Sequence, residues 1–538
     1  MKDNLKSKSN TKLSDDLLAI KESYDSFPYT SYPFSKSHPA HLRTSAKFLG
    51  LDAPPLEQAK ILELGCAAGG NILPFAVQYP NAQVLGVDIS QVHIDKGNEL
   101  IKRLNITNAT LTACSITDID ESFGQFDYII AHGVYSWVTD EVRTKMLQIC
   151  KQNLTANGVA YVSYNTLPGW NTLATIRDMA LYHAKNFDKT EEKIMQAKSL
   201  LGFVNDAIKN SDHAYAKLMM ESVNLLKNKP DYYIAHDFLE LNNKPFYFSQ
   251  FIEDSRSHGL QYLSDADISN MYIHNYPATI SEKLSEITDV VRMEQYLDFV
   301  TNKTFRSTLL CHDSVPIDRT LNLKMARLFY YKMEITPEVE ADAAVMQAGV
   351  EARFYLGDDV EKTISTENPI LKAILYILSV SKKFVVYDYI IQMVVDRLPE
   401  VAKEEIEAQA NLSLLDLFLR GKIKVRMDAL HVQTNVTDTP EVWSYTLAQV
   451  DELTNSVVTN LHHEILRLSL IEMYLIRYLD GKNSKDQILD HLIGHVKKND
   501  FEVNYGGKKI TSDEKLKTVL SLAYMDAVER FAKNALLV

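Results

Sequence analysis

Between residues 61 and 71 the chain reads Ile61-Leu62-Glu63-Leu64-Gly65-Cys66-Ala67-Ala68-Gly69-Gly70-Asn71. An apolar strand ends beside an acid, turns through closely spaced glycines and enters a helix. About 20 residues on, a second strand, Val84-Leu85-Gly86-Val87-Asp88, again ends in a carboxylate. No other stretch restricts the fold as much, because this is how a doubly wound α/β domain holds an adenosine-containing ligand. Glycines let backbone approach the ligand, the helix start offers free N–H groups, and Asp88 can accept both ribose hydroxyls. Gly65, Cys66, Ala67, Gly69 and Asn71, with Ile89 after the second strand, are the candidate contacts.

The identity of that ligand follows from what the loop lacks. A dinucleotide site needs G-x-G-x-x-G so that the pyrophosphate can lie against the second glycine. Here that position is Ala67, and the third glycine falls early, at Gly69. Glu63, just before the turn, would repel a pyrophosphate and suits a cation. S-adenosylmethionine (SAM) carries a sulfonium and an ammonium and no phosphate, so it fits better than NAD.

At 538 residues the chain should hold about three domains, since a single core rarely grows past roughly 250 to 300 residues. A net charge of −13 argues against a phosphate-binding surface, so nucleic acid is not an expected partner. Cys66, Cys114, Cys150 and Cys311 have no C-x-x-C spacing, which argues against a zinc site or disulfide frame and makes the cytoplasm the expected compartment. His462-His463-Glu464 is not followed by the spacing of a metal helix, so no metal is expected. No run of about 18 apolar residues occurs, so no membrane insertion is expected; Ile370 to Val380 reads as a buried helix.

Residues 1–16 are polar and charged and are expected to be disordered. Residues 17–45 are expected to form an N-terminal lid segment, in which two prolines and four aromatics from Phe27 to Phe34 predict extended chain laid over a pocket. From 46 to 170 strands and helices alternate: Lys60–Leu64, Val84–Val87, Ala109–Ala113, Phe126–Ala131 and Gly158–Ser163 are strand-like, with amphipathic stretches such as Gln91–Leu104 and Asp140–Leu154 between them. This spacing predicts a Rossmann-like, mostly parallel sheet with helices on both faces and a crevice at the carboxyl ends of the strands. Beyond Trp170 the alternation is lost. A helical domain is expected over 171–312, a middle helical domain over 313–440 and a winged-helix-like domain over 441–538.

The first four strand ends bring Glu63, Asp88, Ser115 and the loop His132-Gly133-Val134-Tyr135-Ser136-Trp137 towards one crevice. Ser115 and Ile116 are expected near the adenine, and His132 and Gly133 on the cofactor side. SAM as ligand implies methyl transfer, and where the acceptor is an amine this needs alignment, a neutral amine and exclusion of water. Aromatic faces and oxygen acceptors can bind the cation before its proton leaves. Tyr29, Tyr32, Tyr135 and Trp137, with His132, are therefore the candidate catalytic residues; Tyr164 and Trp170 fall on the same predicted rim.

The runs YDSFPYTSYPFSKSHP, ILELGCAAGGN, GVDIS, FDYIIAHGVYSWV and SYNTLPGW, followed by IAHDFLELNNKPFYFSQFI, HGLQYL and EQYLDFVTNKTFRSTLLCH, resemble class I SAM-dependent methyltransferases with a methyltransferase regulatory domain. Within that group the chain is similar to rickettsial lysine methyltransferases that modify outer-membrane protein B. The likeness covers 24 to about 312 and continues more weakly through RYLDGKNSKDQILDHL. It implies methylation of exposed or extended lysines on a surface protein, with S-adenosyl-L-homocysteine (SAH) as product, and a homodimer. The group usually has an acid at Ser115, which weakens the expected adenine contact. A methyltransferase of a small molecule or another polymer, with a regulatory C-terminal half, remains the alternative.

Overall fold

The strand Lys60–Leu64 (β1) is apolar on both faces apart from Glu63, and four of its five residues are buried. Such a strand is stable only in the middle of a sheet covered on both sides. The computed structural model, which describes residues 21, 24, 25, 31–227, 229–240, 242–342, 344–357, 359–450, 456–505 and 508–538, places it there. β2 (Gln83–Asp88) and β4 (Phe126–Ala131) flank it in parallel, and β3 (Ala109–Ala113) and β5 (Leu154–Asn165) extend the sheet in parallel beyond β2 and β4. β6 (Leu260–Asp265) and β7 (Phe305–His312) complete a seven-stranded sheet of order β3-β2-β1-β4-β5-β7-β6, in which β7 alone is reversed. The Rossmann-like, mostly parallel sheet is as expected. The boundary at 170 is not a boundary of the sheet, since β6 and β7 come from the stretch read as helical. Their short apolar runs lie between helices, and periodicity alone does not tell such strands from buried helix.

After β5 the helices Trp170–Ala184, Thr190–Ile208 and Ala214–Lys227 follow, with a core of their own that includes Trp170, Ile176, Leu201, Met219 and Phe238. A π-helical turn, Ile234–Phe238, follows. β7 is tied to the helix Val290–Thr301 by Arg306. Its guanidinium meets Asp298 at 2.8 Å and Glu294 at 2.9 Å, and lies 3.8 Å from the centre of the Phe248 ring. Burial opposes this charge, and Glu294 and Asp298 outweigh burial and hold the guanidinium firmly protonated.

Contacts divide the chain into two units. The first comprises residues 1–31, 45–101 and 107–319, and the second 32–44, 102–106 and 320–538. In the second, Tyr330–Lys332 pairs antiparallel with Val385–Val386 and Lys424–Arg426 beside the helices Pro369–Val380, Tyr387–Arg397 and Lys403–Leu419. Lys372, fully buried on Pro369–Val380, donates to the carbonyls of Val345, Gln347 and Val350. The C-terminal part packs Leu470–Ile476, Lys485–Lys497 and Asp513–Lys533 around one core with two short hairpins, the winged-helix arrangement expected. Ser469–Glu472 and Ser484–Gln487 form capping boxes that start two of these helices. His462 and His463 sit in the turn between Val457–Thr459 and Ile465–Arg467, and among the described residues no cluster could hold a metal ion. No described helix is long and apolar enough to cross a membrane.

Candidate functional site

The glycine loop leaves β1 in left-handed backbone: Gly65 has φ +72°, Ala67 +47° and Gly69 +78°. A side chain at Gly65 would lie 2.5 Å from Val134 Cγ2, and one at Gly69 2.8 Å from Leu73 Cγ. Ala67 occupies the place of the missing middle glycine and keeps its left-handed conformation. For a residue with a Cβ that costs roughly 1–2 kcal/mol. The Ala67 N–H donates to Asp88 Oδ2 at 2.8 Å, which offsets part of this cost. Gly65 and Cys66 N–H both donate to the Val87 carbonyl, so the turn is pinned to β2 along its length.

Asp88 is fixed from both sides. Oδ2 accepts from Ala67 and Oδ1 from the Ser90 N–H at 2.9 Å. Each oxygen keeps a lone pair, so the carboxylate can still accept two hydroxyl groups. Ser90 and His93, whose Nδ1 is 3.9 Å from Asp88 Oδ1, were not singled out from the sequence. A polar residue two or five places past a strand-end acid was the available signal.

Glu63 is 3 % exposed. Asn71 Nδ2 donates to its Oε1 at 2.6 Å, while Oε2 is buried with no hydrogen-bond partner among the described residues. Burial pushes the carboxyl up to about 8; Asn71 pulls against this and the Asp88 charge adds to it. A buried, half-satisfied acid beside an open glycine loop fits a ligand ammonium, which would supply both the missing contact and the missing charge. Cys66 lies under the loop with its thiol pushed up by burial and then by the Asp88 and Glu63 charges, so it is a protonated packing residue.

Ile89 and Ile116 are half-buried and pack against the core of the sheet. The Ser115 hydroxyl accepts from Thr117 N–H at 3.2 Å and pairs with Thr117 Oγ1 at 2.7 Å, so it is already engaged in capping the turn Ile116–Asp118. The N-terminal residues of this unit reach the same region. Ser31 Oγ accepts from Gly70 N–H at 2.7 Å, and a Cβ on Gly70 would fall 2.3 Å from the Ser31 carbonyl oxygen. Ser90 Oγ donates to Asp25 Oδ1 at 2.5 Å. Tyr24 stacks on His236 of the π-helical turn at 4.8 Å.

The β4 loop separates the remaining candidates. His132 Nδ1 is 2.9 Å from Tyr161 Oη and 3.4 Å from Ser163 Oγ, and Gly133 N–H donates to Ser163 Oγ at 2.8 Å. Crowding by protein atoms lowers the imidazolium to about 3 although the residue keeps an exposed edge, so the ring is neutral at pH 7. Tyr135 does not line the crevice. It is 2 % exposed and packs against Tyr164, Phe246 and Phe251, on a face whose charges are Asp254, Arg143 and Asp140. Tyr164 and Trp170 are likewise core residues. An aromatic-rich loop gives no sign in sequence of which rings turn inward. Trp137 is half-buried, edge-on to Trp170 at 6.3 Å. Tyr32 clusters with the second unit, and Tyr29 lies outside the described residues.

Three families match successive parts of the chain: a methyltransferase domain over 56–210, a predicted methyltransferase regulatory domain over 230–312, and the PKMT C-terminal winged helix domain over 438–536. The uncharacterised protein RP789 of Rickettsia prowazekii is 41% identical over 517 residues, covering 96% of this chain and 93% of the relative. A second relative, sll1526 of Synechocystis, is 26% identical over 284 residues, 52% of this chain and 56% of its own length. Among solved structures, PKMT2 from Rickettsia typhi in complex with AdoHcy superposes with a TM-score of 0.87 at 35% identity, over 95% of this chain and 100% of that one.

Proposed function

This chain belongs to the class I SAM-dependent methyltransferases that carry a methyltransferase regulatory domain and a PKMT-type winged helix, and from that premise we propose that it methylates lysine side chains of a protein. It is a SAM-dependent methyltransferase with SAH as product. The single observation that carries the lysine reading is the likeness to PKMT2 over 95% of this chain, together with the match to the PKMT winged helix domain. The substrate we propose is a surface protein with exposed or extended lysines.

SAM, when bound, supplies a methyl group on a sulfonium; the S–CH₃ bond breaks as N–CH₃ forms, and the amine proton leaves to water. Asp88 holds the ribose hydroxyls and Glu63 the amino-acid ammonium, in a loop shaped by Gly65, Ala67 and Gly69 and closed beneath by Cys66 and Asn71. Ile89 and Ile116 bracket the adenine next to Ser115, and Gly133 leaves the β4 loop open on the cofactor side. His132, neutral and anchored to Tyr161, faces the reacting groups without adding a positive charge that would repel the ammonium. Trp137 supplies an aromatic wall for the incoming cation. A homodimer is supported by exposed aromatics such as Tyr182 and Phe203 on the inserted helices, and a cytoplasmic location by four free cysteines.

The protein should be incubated with methyl-labelled SAM, a lysine-rich surface protein and, separately, a metabolite extract. Label on lysine in the protein, located by mass spectrometry, is the expected result. Label confined to small molecules overturns the lysine reading and leaves the cofactor assignment standing.

A further inference from the structure

β5 and β7 run antiparallel, so the carboxyl end of β5 lies beside the amino end of β7 at the crevice edge of the sheet. Their register pairs Tyr161 with Leu309, Ser163 with Ser307 and Asn165 with Phe305. Paired residues, and residues two apart on one strand, share a face. Tyr161, Ser163, Asn165, Ser307 and Phe305 therefore form one surface. The parallel registers carry the same face to the cofactor side: Ile130 pairs with both Tyr161 and Glu63, and Glu63 pairs with Gly86, two residues before Asp88. His132 stands between the two halves, 2.9 Å from Tyr161 Oη and with its ring centre 6.1 Å from that of Phe305.

The inner rungs of this ladder are satisfied. Tyr161 Oη pairs with Ser307 Oγ at 2.9 Å, and Ser163 Oγ accepts from Gly133 N–H. The outermost rung is not. Asn165 has both backbone groups committed, its N–H to Ser136 Oγ and its carbonyl to Phe246 N–H. Its side chain is 97 % buried (3 % exposed), yet the amide Nδ2 has no hydrogen-bond partner among the described residues. Buried amides almost always have one. Phe305, facing it across the register, is exposed at the mouth of the crevice.

We infer that Asn165 binds the methyl-accepting amine through its side-chain amide, with Phe305 packing on the aliphatic stem that carries it. This rests on the lysine reading above. A half-turn of the amide exchanges its two ends without changing its shape, placing the carbonyl oxygen at the unpartnered position. An acceptor is what the reaction needs there, because the nitrogen must keep its lone pair for the methyl and can give only N–H bonds to the protein. A neutral acceptor also aligns the amine without stabilising its charged form as a carboxylate would. Methyl transfer itself is balanced as before: S–CH₃ to N–CH₃, with the proton lost to water before transfer.

The test compares wild type, Asn165→Ala, Asn165→Asp and Phe305→Ala, first by SAH calorimetry and then by lysine methylation across pH. All four should bind SAH within about twofold of one another, which shows that the fold and cofactor site are intact. Asn165→Ala should lower kcat/KM for the protein substrate about 30-fold. Asn165→Asp, nearly isosteric, should move the rising limb of the pH–rate profile up by about one unit or more, because an acid beside the amine holds its proton. Phe305→Ala should raise KM without moving the profile. Wild-type kcat/KM in Asn165→Ala, or an unmoved profile in Asn165→Asp, overturns the inference. Failure of the wild type itself to label lysine overturns the lysine reading, and this inference with it.

Discussion

The proposed contact between Glu63 and the ligand ammonium predicts that cofactor binding is proton-linked, and the size of the effect follows from the burial of Glu63. Its carboxyl is pushed up to about 8 in the protein without ligand. At pH 7 roughly nine-tenths of molecules therefore carry a proton there. An ammonium settling against Oε2 requires the carboxylate, so that proton leaves as the ligand arrives. Calorimetry of SAH binding at pH 7 in two buffers of different ionisation enthalpy should show about 0.9 proton released per ligand. The affinity penalty is about 100-fold at pH 6 and about 11-fold at pH 7, so binding should tighten roughly ninefold, about 1.3 kcal/mol, across that interval. Glu63→Gln should bind more weakly and show neither the proton release nor the slope. The same shift has a sign for stability. The folded value lies above the unfolded one, near 4.3, so the folded protein binds more protons and its stability falls as pH rises from about 4 to 8. At pH 7 the loss is roughly 3 to 4 kcal/mol. Unliganded Glu63→Gln should therefore melt higher than wild type at pH 7. A binding enthalpy independent of buffer, with an affinity flat from pH 6 to 7, would refute the assignment of Oε2 to the ligand ammonium.

Three further outcomes are expected. Asp88→Ala removes the acceptor of the Ala67 and Ser90 N–H groups together with the proposed ribose contact, and should weaken SAH binding at least about 100-fold by calorimetry; unchanged affinity would mean that the cofactor lies elsewhere. Arg306→Ala strands Glu294 and Asp298 as buried acids, and should cost about 3–5 kcal/mol in denaturant unfolding, with part of the loss recovered on acidification as those acids take up protons. Tyr135→Phe, in the core away from the crevice, should keep kcat within about twofold of wild type; a large drop would return Tyr135 to the site.

Much of the cofactor half was legible in the chain because its signals are local. The glycine spacing and the two strand-end acids are read within single turns, and the strands Lys60–Leu64, Ala109–Ala113 and Phe126–Ala131 have the limits their apolar runs suggest. Even the replaced glycine was informative: Ala67 keeps the left-handed turn because Asp88, 21 residues on, holds its N–H. The substrate half was less legible. Tyr135 and Trp137 lie two residues apart in one loop, and nothing in their spacing tells that one ring fills the core while the other stays half-exposed. Tyr32 follows Ser31 directly, yet the two fall in different units.

By itself the sequence determined what kind of ligand this protein holds, since a glycine turn between two acidic strand ends is a property of neighbouring residues and backbone sterics. It also determined that the strands from Lys60 to Ser163 alternate with helices and so form a mostly parallel sheet. Only the tertiary structure decided that residues 260–312 close the same sheet, because antiparallel insertion of β7 beside β5 depends on pairing across some 145 residues. That insertion sets Phe305 opposite Asn165 and Ser307 against Tyr161, and a face continuous with Glu63 and Asp88 exists only once the register is made. Local chemistry chose the cofactor; long-range pairing shaped the face on which we place the methyl-accepting amine.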